Sequence, residues 1–406
     1  MAIKHGQILH DGAGFVIDRI QTGGVSNLNI PLEKINELGN FETVATVRDI
    51  PDLSFEVESL DVSTEIEAIL TRYDPTTTTA GQEFDFREAI PLDVVSPFKT
   101  GQNLYTIFSG IALPYLTLEN ATYRFGVAAN ATQTFTLRGD SIYYVPGTPY
   151  YQQWTKAGGT TYSFANTALP YTSGADTFYA LDVCYYDPAT RLYSRLVFGD
   201  DYTNTATDFT IDATTHAAIP AGSIIHTVYG SATAATYNQS VHEDVSVKPA
   251  AVRGKNIDIY IASGATPVMT RWTSVQSFEV SWQVTLDADR EFGNEHYVSQ
   301  DYDVPSVTGN IVVRPRDVDD LFTKIQEVTN TTSSEIAGAF TSQSVAMEAR
   351  IFDPDDTSGV PIKTLYVPDA RFTPPSIQGR VGQKLEPTFN FESDGGVLLV
   401  YQGARP

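Results

Sequence analysis

The chain has 406 residues, with 49 Asp and Glu against 26 Lys and Arg, for a formal charge of −23 at pH 7. That length accommodates two or three domains, each with its own core. The charge excludes binding nucleic acid by phosphate neutralisation, which needs clustered basic residues, but not enclosing DNA without gripping it, because an acidic wall repels phosphates and lowers friction for a polyanion in a channel.

The single Cys184 excludes an intrachain disulfide framework. Met1-Ala2-Ile3-Lys4-His5 lacks the apolar stretch of a secretory signal, and no apolar run has the length of a bilayer span. The expectation is a protein made in a cytoplasm with no membrane anchor.

Abundant Thr, Val, Tyr, Phe and Gly, in short alternating runs bounded by Gly, Pro, Asn and Asp, predict an all-β fold with few helices. Near the start, Leu28, Ile30 and Leu32 alternate with Asn27, Asn29 and Glu33, which predicts a strand with one polar face. Val62, Ile66, Ile69 and Leu70 then form a helical stripe, with Thr64 and Glu67 at capping-box spacing. Residues 76–99 read as a polar loop.

Residues 146–250 are poor in charge and hold their own short strands, 178–186 and 192–198, around the turn Asp187-Pro188. They read as an inserted β domain. An immunoglobulin-like sandwich is one form it could take, although the Cys-Trp-Cys pattern of true immunoglobulin domains is missing. Tyr143, Tyr144, Tyr150, Tyr151 and Trp154 are candidates for a sugar-binding face, with core and interface packing the weightier reading.

The clearest strand follows at 278–286, where Phe278, Val280, Trp282, Val284 and Leu286 alternate with Glu279, Ser281, Gln283 and Thr285. A second helix is predicted from the stripe Val318, Leu321, Phe322, Ile325 and Val328 behind an acidic start at Asp317, Asp319 and Asp320.

These two halves resemble each other. At an offset of 254 residues, the stretch 27–51 repeats with seven identities: Leu32/Leu286, Glu37/Glu291, Gly39/Gly293, Asn40/Asn294, Val44/Val298, Asp49/Asp303 and Pro51/Pro305. Average residue usage gives about two by chance. The same offset pairs Pro114/Pro368, Val127/Val381, Thr134/Thr388, Phe135/Phe389 and Asp140/Asp394. The predicted organisation is one domain over 1–145, the insertion over 146–250 and a second copy over 251–406. Internal repetition of this kind commonly mirrors symmetric assembly.

No phosphate-binding loop, dinucleotide fingerprint or zinc-protease helix is present, so neither an enzyme nor a cofactor is expected. His242-Glu243-Asp244 reads as a solvated turn. Asp287, Asp289 and Glu291 before Gly293 have the look of a calcium loop with the glycine displaced, and a hairpin tip is the better reading. Asp353-Pro354-Asp355-Asp356 reads as a surface turn.

The strand-turn-strand spans 17–60 and 272–313, each followed by a helix, resemble the major tail tube proteins of tailed bacteriophages. The likeness covers about three quarters of the chain and rests on architecture, with no signature motif. It is closest to the siphophage type with two tandem tube domains.

The resemblance implies duplicated tail-tube β-sandwiches with one helix each, whose long hairpins join those of neighbours into a barrel around a DNA channel. It also implies trimeric, pseudo-hexameric rings that stack into a tube for genome delivery. The implied partners are further copies of the chain, a tape measure protein, tail-end proteins and double-stranded DNA passing without specific binding, all in the virion tail. The polar alternation gives the lumen-facing candidates Asn27, Asn29, Glu33, Glu279, Ser281, Gln283 and Asp287. A distal-tail or baseplate-hub protein of the same fold and a carbohydrate-binding host-attachment protein remain the alternative readings. The loops 74–99 and 329–343 are expected to reach the adjacent ring.

Overall fold

The computed structural model describes residues 9–10, 16–17, 20–29, 32–35, 45–48, 52–60, 63–71, 78–89, 104–106, 111–113, 116–139, 143–144, 147–173, 176–180, 182–187, 192–233, 252–263, 268–289, 299–329, 340, 344–355, 358–375, 385–393 and 395–406. Antiparallel strands dominate them, with three α-helices among the described residues: Glu65–Leu70, Ala213–Ala218 and Val318–Thr329. The all-β expectation holds. None of these helices is long and apolar enough to cross a membrane.

A 13-stranded sheet organises the chain. From one end it runs through Val268–Trp272, Ile257–Ser263, Val345–Phe352, Pro361–Phe372, Thr388–Ser393, Ser306–Val313 and Val275–Gln283. It continues through Thr117–Gly126, Thr132–Gly139 and Asp52–Ser59 to Ile20–Asn29 at the far end. Strict alternation fixes which face is covered: Leu53, Phe55 and Val57 are buried while Asp52, Ser54, Glu56 and Glu58 are partly exposed.

Strand spacing recurs along the chain. Leu32–Ile35 pairs with Ala45–Arg48, and Leu286–Asp289 pairs with Ser299–Tyr302, each strand displaced by 254 residues. Register recurs too: Leu32 faces Arg48 as Leu286 faces Tyr302. In the main sheet, Leu28 faces Leu53 as Trp282 faces Val307, and Leu118 faces Leu137 as Phe372 faces Phe391.

One hydrophobic cluster spans both halves of the sheet, including Phe55, Phe135, Trp282 and Phe389. Phe125 stacks on Phe278 at 5.9 Å, and Phe278 on Phe391 at 6.4 Å. Such pairs add about 0.5–1.5 kcal/mol each beyond their burial.

The first helix departs from the sequence reading. Glu67 does not close a capping box; its side chain is fully buried and ion-paired to Lys363, also fully buried, from the other half of the chain. Tyr123 Oη donates to the same carboxylate at 2.6 Å, and Lys363 Nζ donates to Ser63 O at 2.9 Å and Gln133 Oε1 at 2.8 Å. Burial, and then the Glu67 charge, push the Tyr123 hydroxyl well above the ordinary tyrosine range.

The second helix starts as expected, with the Asp317 carboxylate accepting the Asp320 N–H at 2.8 Å. Its buried stripe begins at Leu321, because Val318, in the first turn, is 74% exposed. The predicted loop after the first helix is also corrected in part. Glu83–Asp85 is a strand paired with Leu399–Gln402, and Phe84 and Phe86 are fully buried, so 81–86 is tied to the sheet and anchored in the core. Residues 90–99, and 330–339 with 341–343 of the counterpart loop, lie outside the described residues.

Within 147–233, a four-stranded and a three-stranded sheet enclose a separate aromatic cluster. Trp154 lies 5.3 Å from Phe209, and Tyr150 stacks on Tyr229 at 5.5 Å, so these two rings pack inside the unit. The side chains of Tyr143, Tyr144 and Tyr151 lie outside the description. His216 is buried and shares a 3.0 Å hydrogen bond with Tyr162, and burial, then Lys156, hold it below the ordinary histidine value of 6.5.

Two outcomes follow. Lys363→Met leaves the Glu67 carboxylate buried without its cation and should cost about 3–5 kcal/mol in chemical denaturation, with Glu67→Leu in the same chain restoring much of it. Because folded His216 resists protonation, its contribution is complete above pH 6.5 and declines as pH falls below it. Trp154 fluorescence should therefore report an acid-sensitive transition that His216→Phe shifts to lower pH.

Candidate assembly surface

The two sets of strands meet in the main sheet at two seams, the short pairing of Glu83–Asp85 with Leu399–Gln402 and a longer one. Val275–Gln283 pairs antiparallel with Thr117–Gly126, from Asn120 opposite Gln283 to Gly126 opposite Ser277. Val284 N–H donates to Glu119 O at 2.9 Å just beyond one end, and Val127 N–H donates to Gln276 O at 2.9 Å beyond the other. Seam hydrogen bonds therefore extend past the paired stretch at both ends.

Across this seam the polar face is continuous. One cross-strand row runs Arg371, Glu392, Thr308, Ser281, Thr122, Thr134 and Glu58. The Ser281 hydroxyl accepts from Asn120 Nδ2 at 3.0 Å and shares a 2.8 Å bond with the Thr122 hydroxyl. Glu279, Ser281, Thr308, Asn310, Asn390 and Glu392 line an open groove of about 320 Å³.

Of the seven sequence candidates, Glu279, Ser281 and Gln283 lie together on this face. Glu279 is ion-paired to Arg124 at 3.0 Å and Gln283 is exposed. Asn27 and Asn29 are on the far edge strand, opposite Ser54 and Asp52. Their side chains lie outside the description.

Glu33 and Asp287 belong to the separate two-stranded ladders, opposite Val47 and Asp301. The predicted strand 278–286 likewise breaks at Gln283. Val284 remains buried in the core, while Thr285 O accepts from Asp303 N–H at 3.1 Å where the chain turns into the next ladder.

Sequence reading missed Asn120, Thr122 and Arg124, because the register shift between Leu118 and Asn120 breaks the alternation of that strand.

The face carries the carboxylates Asp52, Glu56, Glu58, Glu279 and Glu392 against the guanidinium groups of Arg124, Arg138 and Arg371. Arg138 pairs with Asp52 at 2.8 Å. Paired at the surface, such cations add about 0–1 kcal/mol each to stability and leave no concentrated positive field. Half-buried Glu119 is pushed above the ordinary carboxylate range by burial, against the pull of Arg138.

Among the described residues, no group of three or more His, Cys, Asp or Glu is placed to hold a metal ion. Asp353 caps its own turn by accepting from Asp355 N–H at 2.9 Å. His242, Glu243, Asp244, Glu291 and Gly293 lie outside the described residues.

No protein family matches this chain in sequence, and a search of curated proteins matches none.

The raised Glu119 value means that the folded state holds its proton to higher pH than the unfolded chain, so ionisation there lowers stability as pH rises through that window. Glu119→Gln should be more stable than the parent at pH 7, with the difference vanishing below the ordinary carboxylate value of 4.5 in parallel thermal melts.

Proposed function

We propose that this chain is a structural subunit of a bacteriophage tail tube, in which trimeric rings stack around a channel that passes the genome. The observation that carries the reading is the recurrence of strand spans and registers at 254 residues, together with a sheet that joins the two sets edge to edge. On this reading the sets 1–145 and 251–406 are two copies of one fold, and three chains supply six.

A strand seam inside one chain is the kind of contact that closes a barrel when it is repeated between chains, and closure removes edges that would otherwise aggregate. The polar face suits a channel wall. Its Ser, Thr and Asn side chains are uncharged, Arg124 and Arg138 are engaged by carboxylates, and its excess acid repels a phosphate backbone. The 147–233 unit, with its own core, then decorates the tube wall. The subunit's role is mechanical; it is placed in the virion tail after synthesis in the host cytoplasm, with the tape measure and tail-end proteins as neighbours.

Negative-stain electron microscopy of the concentrated protein, before and after gentle heating, tests this. Hollow tubes built of threefold rings are expected. Monomers under every condition would overturn the reading, and isolated rings that never stack would move it to a distal-tail or baseplate-hub role. Glycan binding by intact chains that form neither would favour host attachment.

A further inference from the structure

Four polar side chains from four separate elements meet in the core. Glu67 comes from the helix Glu65–Leu70, Tyr123 and Gln133 face each other on the paired strands Thr117–Gly126 and Thr132–Gly139, and Lys363 comes from Pro361–Phe372. All four are buried, and Glu67 and Lys363 completely so. The Lys363 nitrogen is ion-paired to Glu67 Oε1 and donates to Gln133 Oε1 at 2.8 Å. Tyr123 Oη donates to the same Glu67 oxygen at 2.6 Å, and the Tyr123 ring lies 5.1 Å from the lysine nitrogen.

Two atoms of this group are left over. Glu67 Oε2 and Gln133 Nε2 are both buried and make no hydrogen bond among the described residues. The surroundings are apolar: the rings of Phe86 and Phe135 stand 6.5 Å and 6.1 Å from that of Tyr123. An amine, a carboxamide and a carboxylate enclosed together in a dry core are the components of an amide exchange.

We propose that Lys363 and Gln133 form an intramolecular isopeptide bond, with Glu67 as the catalytic acid and base. Burial disfavours the charged forms, so a proton passes within the ion pair from ammonium to carboxylate, giving a neutral amine and a neutral acid. The neutral amine is the nucleophile. A small rotation brings it over the Gln133 carbonyl carbon, at the distance of about 3–3.5 Å from which such bonds form. Nζ attacks Cδ, the Glu67 proton goes to Nε2, the Cδ–Nε2 bond breaks and ammonia leaves, while the Glu67 carboxylate takes the surplus proton from Nζ. One carbon–nitrogen bond forms and one breaks, with no oxidant, reductant or cofactor, and Glu67 ends as a neutral acid beside a neutral amide. Loss of ammonia also removes the buried donor that had no acceptor.

The bond joins positions 230 residues apart, one in each set of strands. The ion pair fixes which groups meet; the amide then makes that meeting irreversible. None of this requires assembly, so the inference stands apart from the tube reading.

The intact mass of the purified, acid-denatured full chain tests it. The expected mass is one ammonia below that of the unlinked sequence. A tryptic digest should then contain a branched peptide joining 125–138 to 351–371, because cleavage follows Arg124, Arg138, Arg350 and Arg371 while a linked Lys363 resists it. Gln133→Leu keeps the Lys363 and Glu67 pair and should retain its full mass, migrating more slowly than the parent on reducing denaturing gels because its chain is not closed into a loop. Glu67→Gln should also retain its full mass, and a linked Glu67→Gln chain would remove Glu67 from the mechanism. A folded parent chain that keeps its full mass through prolonged incubation would overturn the proposal, whatever the variants do. Loss of one water, with 351–371 joined to the peptide carrying Glu67, would overturn the assignment to Gln133, and so would ammonia loss confined to peptides without Lys363.

Discussion

The pairing of Val275–Gln283 with Thr117–Gly126 is the contact on which the rest of this architecture depends. Without it the main sheet would join the two sets of strands only through the short pairing of Glu83–Asp85 with Leu399–Gln402; with it, both share one core in which Phe125, Phe278 and Phe391 stack in sequence. Hydrogen bonding alone leaves such a seam free to slip by two residues without changing faces. The buried Lys363 and Glu67 pair removes that freedom, because a slipped register would leave an ammonium and a carboxylate in the core without each other. Specificity of register is a use to which buried charge is well suited.

The opposite face of the same sheet follows another rule. Its side chains are short hydroxyls and amides bonded laterally, as Ser281 is to Asn120 and Thr122, so little long, mobile side chain projects from the centre of the face. Arg124 and Arg138 are engaged by Glu279 and Asp52, and carboxylates outnumber guanidinium groups across the face. A surface of this kind has no concentrated means of binding an anion.

Much of this was legible from the sequence wherever a strand alternates without interruption. Phe278, Val280 and Trp282 against Glu279, Ser281 and Gln283 gave the face correctly, and Asp317 marked the start of its helix. Interruptions hid the rest. The shift between Leu118 and Asn120 concealed the partner strand, and the turn after Val284 sent Asp287 into a different ladder. Lys363 lies between Ile362 and Thr364, where a lysine reads as a solvent-facing residue, and Glu67 sits at capping-box spacing; only the three-dimensional approach of positions 296 residues apart shows that they serve each other. Phe84 and Phe86 stood in a polar stretch whose covering strand is remote in sequence.

That remoteness sets the order of events during synthesis. Glu83 of the early strand bonds Tyr401, 318 residues later, and Glu67 waits almost as long for its lysine. A nascent chain carrying the amino-terminal strands thus lacks the countercharge for Glu67 until Lys363 is made and the cover for Phe84 until Leu399–Gln402 is made. Contacts so distant also form slowly once they are available. The chain's covalent layout acts as a clock, delaying this part of the main sheet until the strand at Leu399–Gln402 has been made.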